Sequence, residues 1–305
     1  MRYYFAPMEG LTDSVFRRLH HKYFGGVDSY YMPFLSPTVH RQLTNKEHRE
    51  LPFADTESFR AVPQLLTKVA EDFLWAAEQC RDRGYDEVNL NLGCPSGTVV
   101  AKGKGSGMLS DLRSLDAFLE AVFSKAALPI SVKTRLGITD PEEFPAILEI
   151  YNRYPIRELT VHPRVRKQFY SGDVEREMFR YCLENSKNPV CYNGDIRTLA
   201  EAEAAGTEAV MIGRGLIADP GMLCGGTKTE TLEAFLNELL ETYLVLFGGS
   251  RNAMFRMKEH WGMMIDRFEG SEKLGKQLRK TTDLSEYRRI VAQILHTLPR
   301  KDSIG

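Results

Sequence analysis

Through residues 1–213, short apolar runs rich in β-branched and aromatic side chains alternate with longer stretches whose apolar positions recur every three to four residues. Runs of the first kind at 3–7, 29–33, 61–65, 87–92, 130–134, 158–162, 190–193 and 209–213 read as eight strands. The stretches between them read as amphipathic helices: Val69, Phe73, Ala76, Ala77 and Cys80 share one face, as do Leu112, Leu115, Leu119, Val122 and Phe123. Such alternation is the pattern of βα units around a parallel sheet, and eight of them predict an α/β fold of the (β/α)8 TIM barrel type. No GxGxxG follows the first run, so an open doubly wound nucleotide-binding sheet is the poorer fit.

Beyond the eighth run only the helical period continues. Leu232, Phe235, Leu236, Leu239, Leu240 and Tyr243 form one stripe; Met254, Met257, Trp261, Met264, Ile265 and Phe268 a second; Tyr287, Ile290, Val291, Ile294, Leu295 and Leu298 a third. The expectation is a barrel domain over 1–228 and a small all-α helical bundle over 229–305, joined by the Gly- and Thr-rich loop 221–229.

A length of 305 residues accommodates a barrel of about 250 residues with an appendage. The 43% apolar content is enough for a core. No apolar stretch approaches the roughly 18 residues of a membrane span, and the first residues lack a signal-peptide core, so a cytoplasmic protein is expected. Five cysteines without CxxC give neither a disulfide framework nor a zinc pattern, and seven histidines without HExxH give no metal site. The net charge of −1 hides a segregation: from Leu244 onward 12 Lys and Arg face 7 Asp and Glu, an excess of +5, which leaves −6 for residues 1–243.

In a parallel barrel the active site is assembled at the C-terminal ends of the strands. The runs here end in Ala6-Pro7-Met8-Glu9-Gly10, Gln64, Asn91-Leu92-Gly93-Cys94-Pro95, Lys133-Thr134-Arg135, His162-Pro163-Arg164, Asn193-Gly194-Asp195 and Gly213-Arg214-Gly215, so polar and reactive groups converge on one rim. This ordered set, with APMxGxTD near the N-terminus followed by NxGCP, KxR, HxR, NGDI and GRG, closely resembles the tRNA-dihydrouridine synthase family over essentially the whole chain.

The resemblance implies an enzyme that uses FMN, reduced by NADPH, to transfer hydride from flavin N5 to C6 of a uridine in tRNA while an acid protonates C5. By that resemblance Cys94 is the acid, and an ordinary thiol is mostly protonated near neutral pH. An inert buried cysteine is the alternative, and Cys80 on its apolar face fits that description, as Cys182 and Cys191 do. Pro7 and Met8 are expected at the cofactor, Lys133 beside the N1/O2 edge of the ring, Gln64 on its pyrimidine side and His162 nearby. For these the competing readings are a surface ion pair for Lys133, a loop amide for Gln64 and a satisfied core histidine for His162. Asn91 bonds flavin or uracil, or forms the turn before Gly93.

Phosphate is expected at Asn193, Gly194, Gly213 and Arg214, in the loops after the last two strands. Asp195, wrongly charged for phosphate, is assigned to capping the helix before Leu199 or to a ribityl hydroxyl. Arg164 and Arg166 are read as contacts to anionic cofactor or RNA. Pro163 stands where the family more often has Gly, in a segment whose Gln168-Phe169-Tyr170-Ser171-Gly172 resembles QxYxG.

A stacked uracil has to be extruded to reach such a site, so the RNA must be held elsewhere. Loop 96–108, with Lys102 and Lys104 among four glycines, is expected to be a mobile lid gripping backbone near Cys94. The basic set Arg251, Arg256, Lys258, Lys273, Lys276, Arg279, Lys280, Arg288 and Arg289 is expected to meet tRNA phosphates. Two rivals are a flavin barrel enzyme acting on a small pyrimidine and a non-catalytic RNA-binding factor. A monomer is expected, which suits a substrate as large as tRNA.

Overall fold

The computed structural model describes residues 1–301. By its contacts the chain separates into two compact units, each built from separate stretches: Met1–Pro7, Asp28–Gly194 and Ala205–Met211 in the first, and Met8–Val27, Asp195–Ala204 and the chain from Ile212 onward in the second. The sequence reading cuts the chain once, at 228/229; the compact units are interleaved.

The first unit holds a parallel sheet of nine segments: β1 (Arg2–Phe5), β2 (Ser29–Tyr31), β3 (Ala61–Val62), β4 (Gln64–Leu65), β5 (Val88–Leu92), β6 (Ile130–Arg135), β7 (Leu159–His162), β8 (Val190–Tyr192) and β9 (Ala209–Ile212). Their order is β3-β2-β1-β9-β8-β7-β6-β5-β4. Only Pro63 separates β3 from β4, and Leu35, just past β2, bridges to Leu65, so the sheet returns on itself as an eight-stranded barrel. The third expected strand is therefore two segments, because Pro63 has no N–H to give the ladder, although its carbonyl accepts from Asn89 at 2.8 Å.

Since strand side chains alternate, every second residue faces the barrel interior. Tyr4, Ala6, Tyr31, Val62, Cys191, Ala209 and Met211 pack there as one cluster. Below them, where the strands begin, lies a charged plug. Glu87 and Glu158 are both buried; Glu87 accepts from Arg60 at 2.7 Å and pairs with Arg157 at 3.0 Å, while Glu158 pairs with Arg2 at 3.1 Å. The hydroxyls of Tyr4 and Tyr31 complete it, at 3.2 Å from Glu158 and 3.5 Å from Glu87. Burial nonetheless raises the Glu158 carboxyl above its ordinary value.

Within the second unit the helix Ser14–Tyr23 starts at Asp13, the last residue of the APMxGxTD motif, whose side chain accepts from Phe16 N and from the Tyr243 hydroxyl. Phe16 stacks on His260 at 4.8 Å and meets Phe235 edge-on at 5.6 Å. Four helices follow residue 228 among the described residues, Thr229–Phe247, Ser250–Met264, Glu272–Lys280 and Leu284–Thr297, one more than the three stripes predict. The additional helix buries only Leu274, Gly275 and Leu278, too few apolar positions to read as a stripe. The expected linker 221–229 packs through Thr227: its hydroxyl lies 2.5 Å from Asp219, which is 1% exposed and also held by Arg267 at 3.0 Å and Arg300 at 2.6 Å.

Among the described residues no helix is long and apolar enough to cross a membrane, and no cluster of His, Cys, Asp and Glu could hold a metal ion.

Candidate active site

At the C-terminal ends of the strands in the first unit, a run of buried amides fixes the position of Cys94. Asn91 Oδ1 accepts from the backbone N–H of Gly93 at 3.1 Å and of Cys94 at 2.9 Å. With its oxygen committed, Asn91 donates through Nδ2 to Gln64 Oε1 at 2.7 Å; Gln64 then donates to Asn89 Oδ1 at 2.8 Å, and Asn89 to the Ser131 hydroxyl at 2.8 Å. Each amide orientation follows from the one before it. The Asn91 side chain thus both forms the turn before Gly93 and touches Gln64, on the neighbouring strand.

The other side of Cys94 is held by the segment expected to be a lid. The Cys94 carbonyl accepts from the Ser106 hydroxyl at 2.8 Å and from Ser106 N at 3.2 Å. Gly105 has φ of +58°, and a Cβ there would sit 3.0 Å from Cys94 Cβ, so the close approach depends on glycine. Residues 105–109 are buried. The segment is structured, with a short helix at Gly97–Val100 and a 3-10 turn at Gly105–Ser110. Lys102 is exposed, and Lys104 donates to the Ser36 hydroxyl at 3.0 Å. Partial burial and the charges of Lys102 and Lys68 lower the Lys104 ammonium. Lys68, which the sequence reading passed over, brings its Nζ to 3.3 Å from where a Gly103 Cβ would lie, giving a three-lysine cluster.

Lys133 is in register with Asn91 across β5 and β6, and its Nζ donates to Asn193 Oδ1 at 2.6 Å. Among the described residues it forms no ion pair. Desolvation, with Arg135 adding repulsion, pushes its ammonium down to about 7. Asn193 passes the link on, donating to the Met211 carbonyl at 2.7 Å.

Arg135, the last residue of KxR, was given no role by the sequence; the motif itself was the only signal. Only 1% exposed, it donates to Gly93 O at 2.9 Å, Val165 O at 3.1 Å and Phe169 O at 2.6 Å, and lies 5.3 Å from the centre of the Tyr170 ring. His162 is buried, with Nε2 3.1 Å from Arg164 Nη1. A guanidinium can only donate, so that ring nitrogen is the acceptor and the proton sits on Nδ1. Arg164 is also turned inward, its Nη2 2.5 Å from Gly172 O, whereas Arg166 is half-exposed beside the Phe169 ring. Pro7 and Gly194 border this unit, and Pro163, in place of glycine, accepts from Glu175 N at 2.8 Å.

The remaining expected site residues belong to the second unit. Met8 N donates to the Thr12 hydroxyl at 2.9 Å. Arg214, after Gly213, pairs with Asp195 at 2.5 Å. Asp195 does not cap the helix Leu199–Glu203: Thr198 does, in a reciprocal capping box with Glu201. Thr198 lies directly before the first turn, which is where a cap belongs. Arg256 lies against Gly10 and 3.4 Å from Glu259, and Lys258 donates to the Thr281 carbonyl, so both are partly engaged within the unit. Arg251, Lys273, Lys276, Arg279, Lys280 and Arg289 are exposed and form no ion pair among the described residues; Arg288 pairs with Glu241 at 2.5 Å.

A family model described as dihydrouridine synthase matches residues 4–301. The chain belongs to the dihydrouridine synthase family. Within the family, a protein of Rhizobium leguminosarum bv. phaseoli named probable tRNA-dihydrouridine synthase is 28% identical, over 96% of this chain and 94% of that protein. One of the same name from Rickettsia bellii is 32% identical over 72% of this chain and 68% of its own length. A solved structure of a variant of NCR from Zymomonas mobilis is similar with a TM-score of 0.49 at 14% identity, over 72% of this chain and 83% of that one. Of the pieces that carry the family resemblance, NxGCP and KxR therefore meet in space: Arg135 of the second grips Gly93 of the first.

Proposed function

We propose that this dihydrouridine synthase reduces uridine in tRNA, with FMN as its flavin, NADPH as the reductant and Cys94 as the proton donor. The observation that carries the reading is the double hold on Cys94, by Asn91 through its N–H and by Ser106 through its carbonyl, on the rim that also carries Lys133. Relatives bearing the name tRNA-dihydrouridine synthase supply the substrate class.

The donor set fits a flavin. Lys133 is an ammonium without a carboxylate partner among the described residues, and the buried Gln64 amide lies one hydrogen bond from Asn91, so an electron-rich ring edge finds donors there. FMN, when bound and reduced, supplies the hydride for C6 of the uracil. The chain's own residues do the rest. Lys133 provides positive charge at the ring edge, Gln64 and His162 hydrogen-bond the cofactor, and Asn91 keeps the Cys94 backbone at a fixed height so that its Sγ–H can deliver a proton to C5. Pro7, Met8, Asn193, Gly194, Asp195, Gly213 and Arg214 are the further proposed cofactor ligands; an anion reaching Arg214 competes with Asp195 for it.

For the RNA we propose Lys102 and Lys104, joined by Lys68, with Arg164, Arg166, Arg256 and Lys258 as further contacts and the unpaired basic residues of 251–289 as the phosphate-facing set. The chain is proposed to act as a monomer in the cytoplasm. The test is to map dihydrouridine in tRNA from cells lacking the gene and complemented with the unaltered protein or with Cys94→Ala. Loss at defined positions, restored only by the unaltered protein, is expected; full restoration by Cys94→Ala removes the thiol from its role. A colourless purified protein that releases no flavin would overturn the cofactor assignment.

A further inference from the structure

Phe169 breaks two rules at once. It is a large apolar side chain left 44% exposed, and its backbone stands at φ +51°, ψ −101°, a conformation that residues with a Cβ avoid. Packing repays neither feature in full, since a ring nearly half exposed leaves much of its apolar surface in water. The conformation is held from outside. Phe169 N donates to Arg166 O at 3.1 Å, and Phe169 O accepts from the buried Arg135 at 2.6 Å. The same guanidinium holds Gly93 O, so the Phe169 backbone is one side chain away from the residue before Cys94. Around the ring the charge is positive: the Arg166 guanidinium lies 5.7 Å from its centre, and Lys167 is exposed next to it.

We infer that Phe169 is a stacking surface for an unpaired nucleobase of the RNA substrate, adjacent to the uridine that enters the site. This deepens the function proposed above and rests on it. A flat π face flanked by cations matches a polyanion whose bases are splayed from their stack, because the ring takes the base while Arg166 and Lys167 face the phosphates on either side. Arg135 fixes the spacing: the segment that offers the ring and the turn that carries Cys94 are bonded to the same planar group, so a base on the one and the reacting base on the other are held in register.

Three substitutions separate stacking from a merely structural role. Phe169→Ala and Phe169→Gly are expected to weaken tRNA binding by roughly 5- to 100-fold, the range of losing one stacked base. Phe169→Gly is expected in addition to raise Tm, because glycine is at ease at this φ, so lost affinity is not lost folding. Phe169→Trp keeps the affinity, and its emission, after subtraction of the signal from Trp75 and Trp261, is quenched as tRNA is added. Dihydrouridine formation by the unaltered protein is measured alongside. With that activity present, unchanged affinity in the Ala and Gly variants and no quench in the Trp variant overturn the stacking assignment. With it absent, the functional reading fails first and the assignment falls with it.

Discussion

Lys133 Nζ lies 2.6 Å from Asn193 Oδ1, joining β6 to the residue that follows β8, two strands away in the sheet. Desolvation by burial, with repulsion from Arg135, outweighs what one amide oxygen can return to an ammonium, and the group falls from 10.5 to about 7. Between those two values the unfolded chain holds a proton that the folded one has released, so stability climbs with pH over that window; below about 7 both states are protonated and the cost is at its full size. Replacing Lys133 with Met is therefore expected to raise the Tm of the flavin-free protein most at pH 6, with the gain shrinking toward pH 10. A gain that grows with pH contradicts this. The same variant should lose flavin affinity.

The amide run from Asn91 to Ser131 has a direction, and the direction can reverse. With Asn91→Asp, the new carboxylate still accepts from Gly93 and Cys94 but cannot donate to Gln64. Gln64 and Asn89 can both flip, because the Ser131 hydroxyl at the far end donates as readily as it accepts. Asn91→Asp should then unfold at nearly the urea midpoint of the unaltered protein. Asn91→Ala, which strands two N–H groups and an amide oxygen, should cost about 1–3 kcal/mol. Adding Ser131→Ala to Asn91→Asp should be far more damaging than the sum of the two, since Asn89 Oδ1 then has nothing to accept from; strict additivity rejects the reversal.

Glu87 at the base of the barrel is buried between two cations, Arg60 and Arg157. Removing either one leaves the other, so Arg60→Ala or Arg157→Ala should each cost about 1–2 kcal/mol. Removing both leaves a buried carboxylate without a cation and should cost about 3–5 kcal/mol, more than the sum. Guanidinium unfolding of the two single variants and the double variant gives the comparison. A double variant no worse than the singles would mean that water reaches Glu87.

On the helix Glu272–Lys280, Lys273, Lys276, Arg279 and Lys280 are exposed, and none forms an ion pair among the described residues. Reversing two of them, Lys276→Glu and Lys280→Glu, is expected to weaken tRNA binding and to flatten the plot of log affinity against log salt by about two phosphate contacts. Equal slopes for the altered and unaltered proteins would remove this helix from the RNA-binding surface.

The strand positions and the amphipathic faces were legible because burial imposes periods of 2 and 3.6 that survive in a single sequence. What escaped had no period. Pro63 divides a strand whose apolar pattern runs straight through it. The helix Glu272–Lys280 carries too few apolar residues to announce itself, and Asp219 is buried by two arginines distant in sequence, Arg267 and Arg300. At the candidate site the motifs marked Cys94, Asn91 and Lys133, whereas the tie between Gly93 and Phe169 required knowing where the Arg135 guanidinium ends. Of the two roles read for Asp195, the cap is excluded because Thr198, three residues on, is the better-placed cap.

The carboxylates and arginines below the Tyr4 and Tyr31 rings occupy the strand-starting end of the barrel. Under the proposed function, hydride donor and nucleic acid are both expected at the opposite rim, where the strands end. Sharing one rim, they are expected to take turns, and steady-state velocities measured against one at several fixed levels of the other should give parallel double-reciprocal lines.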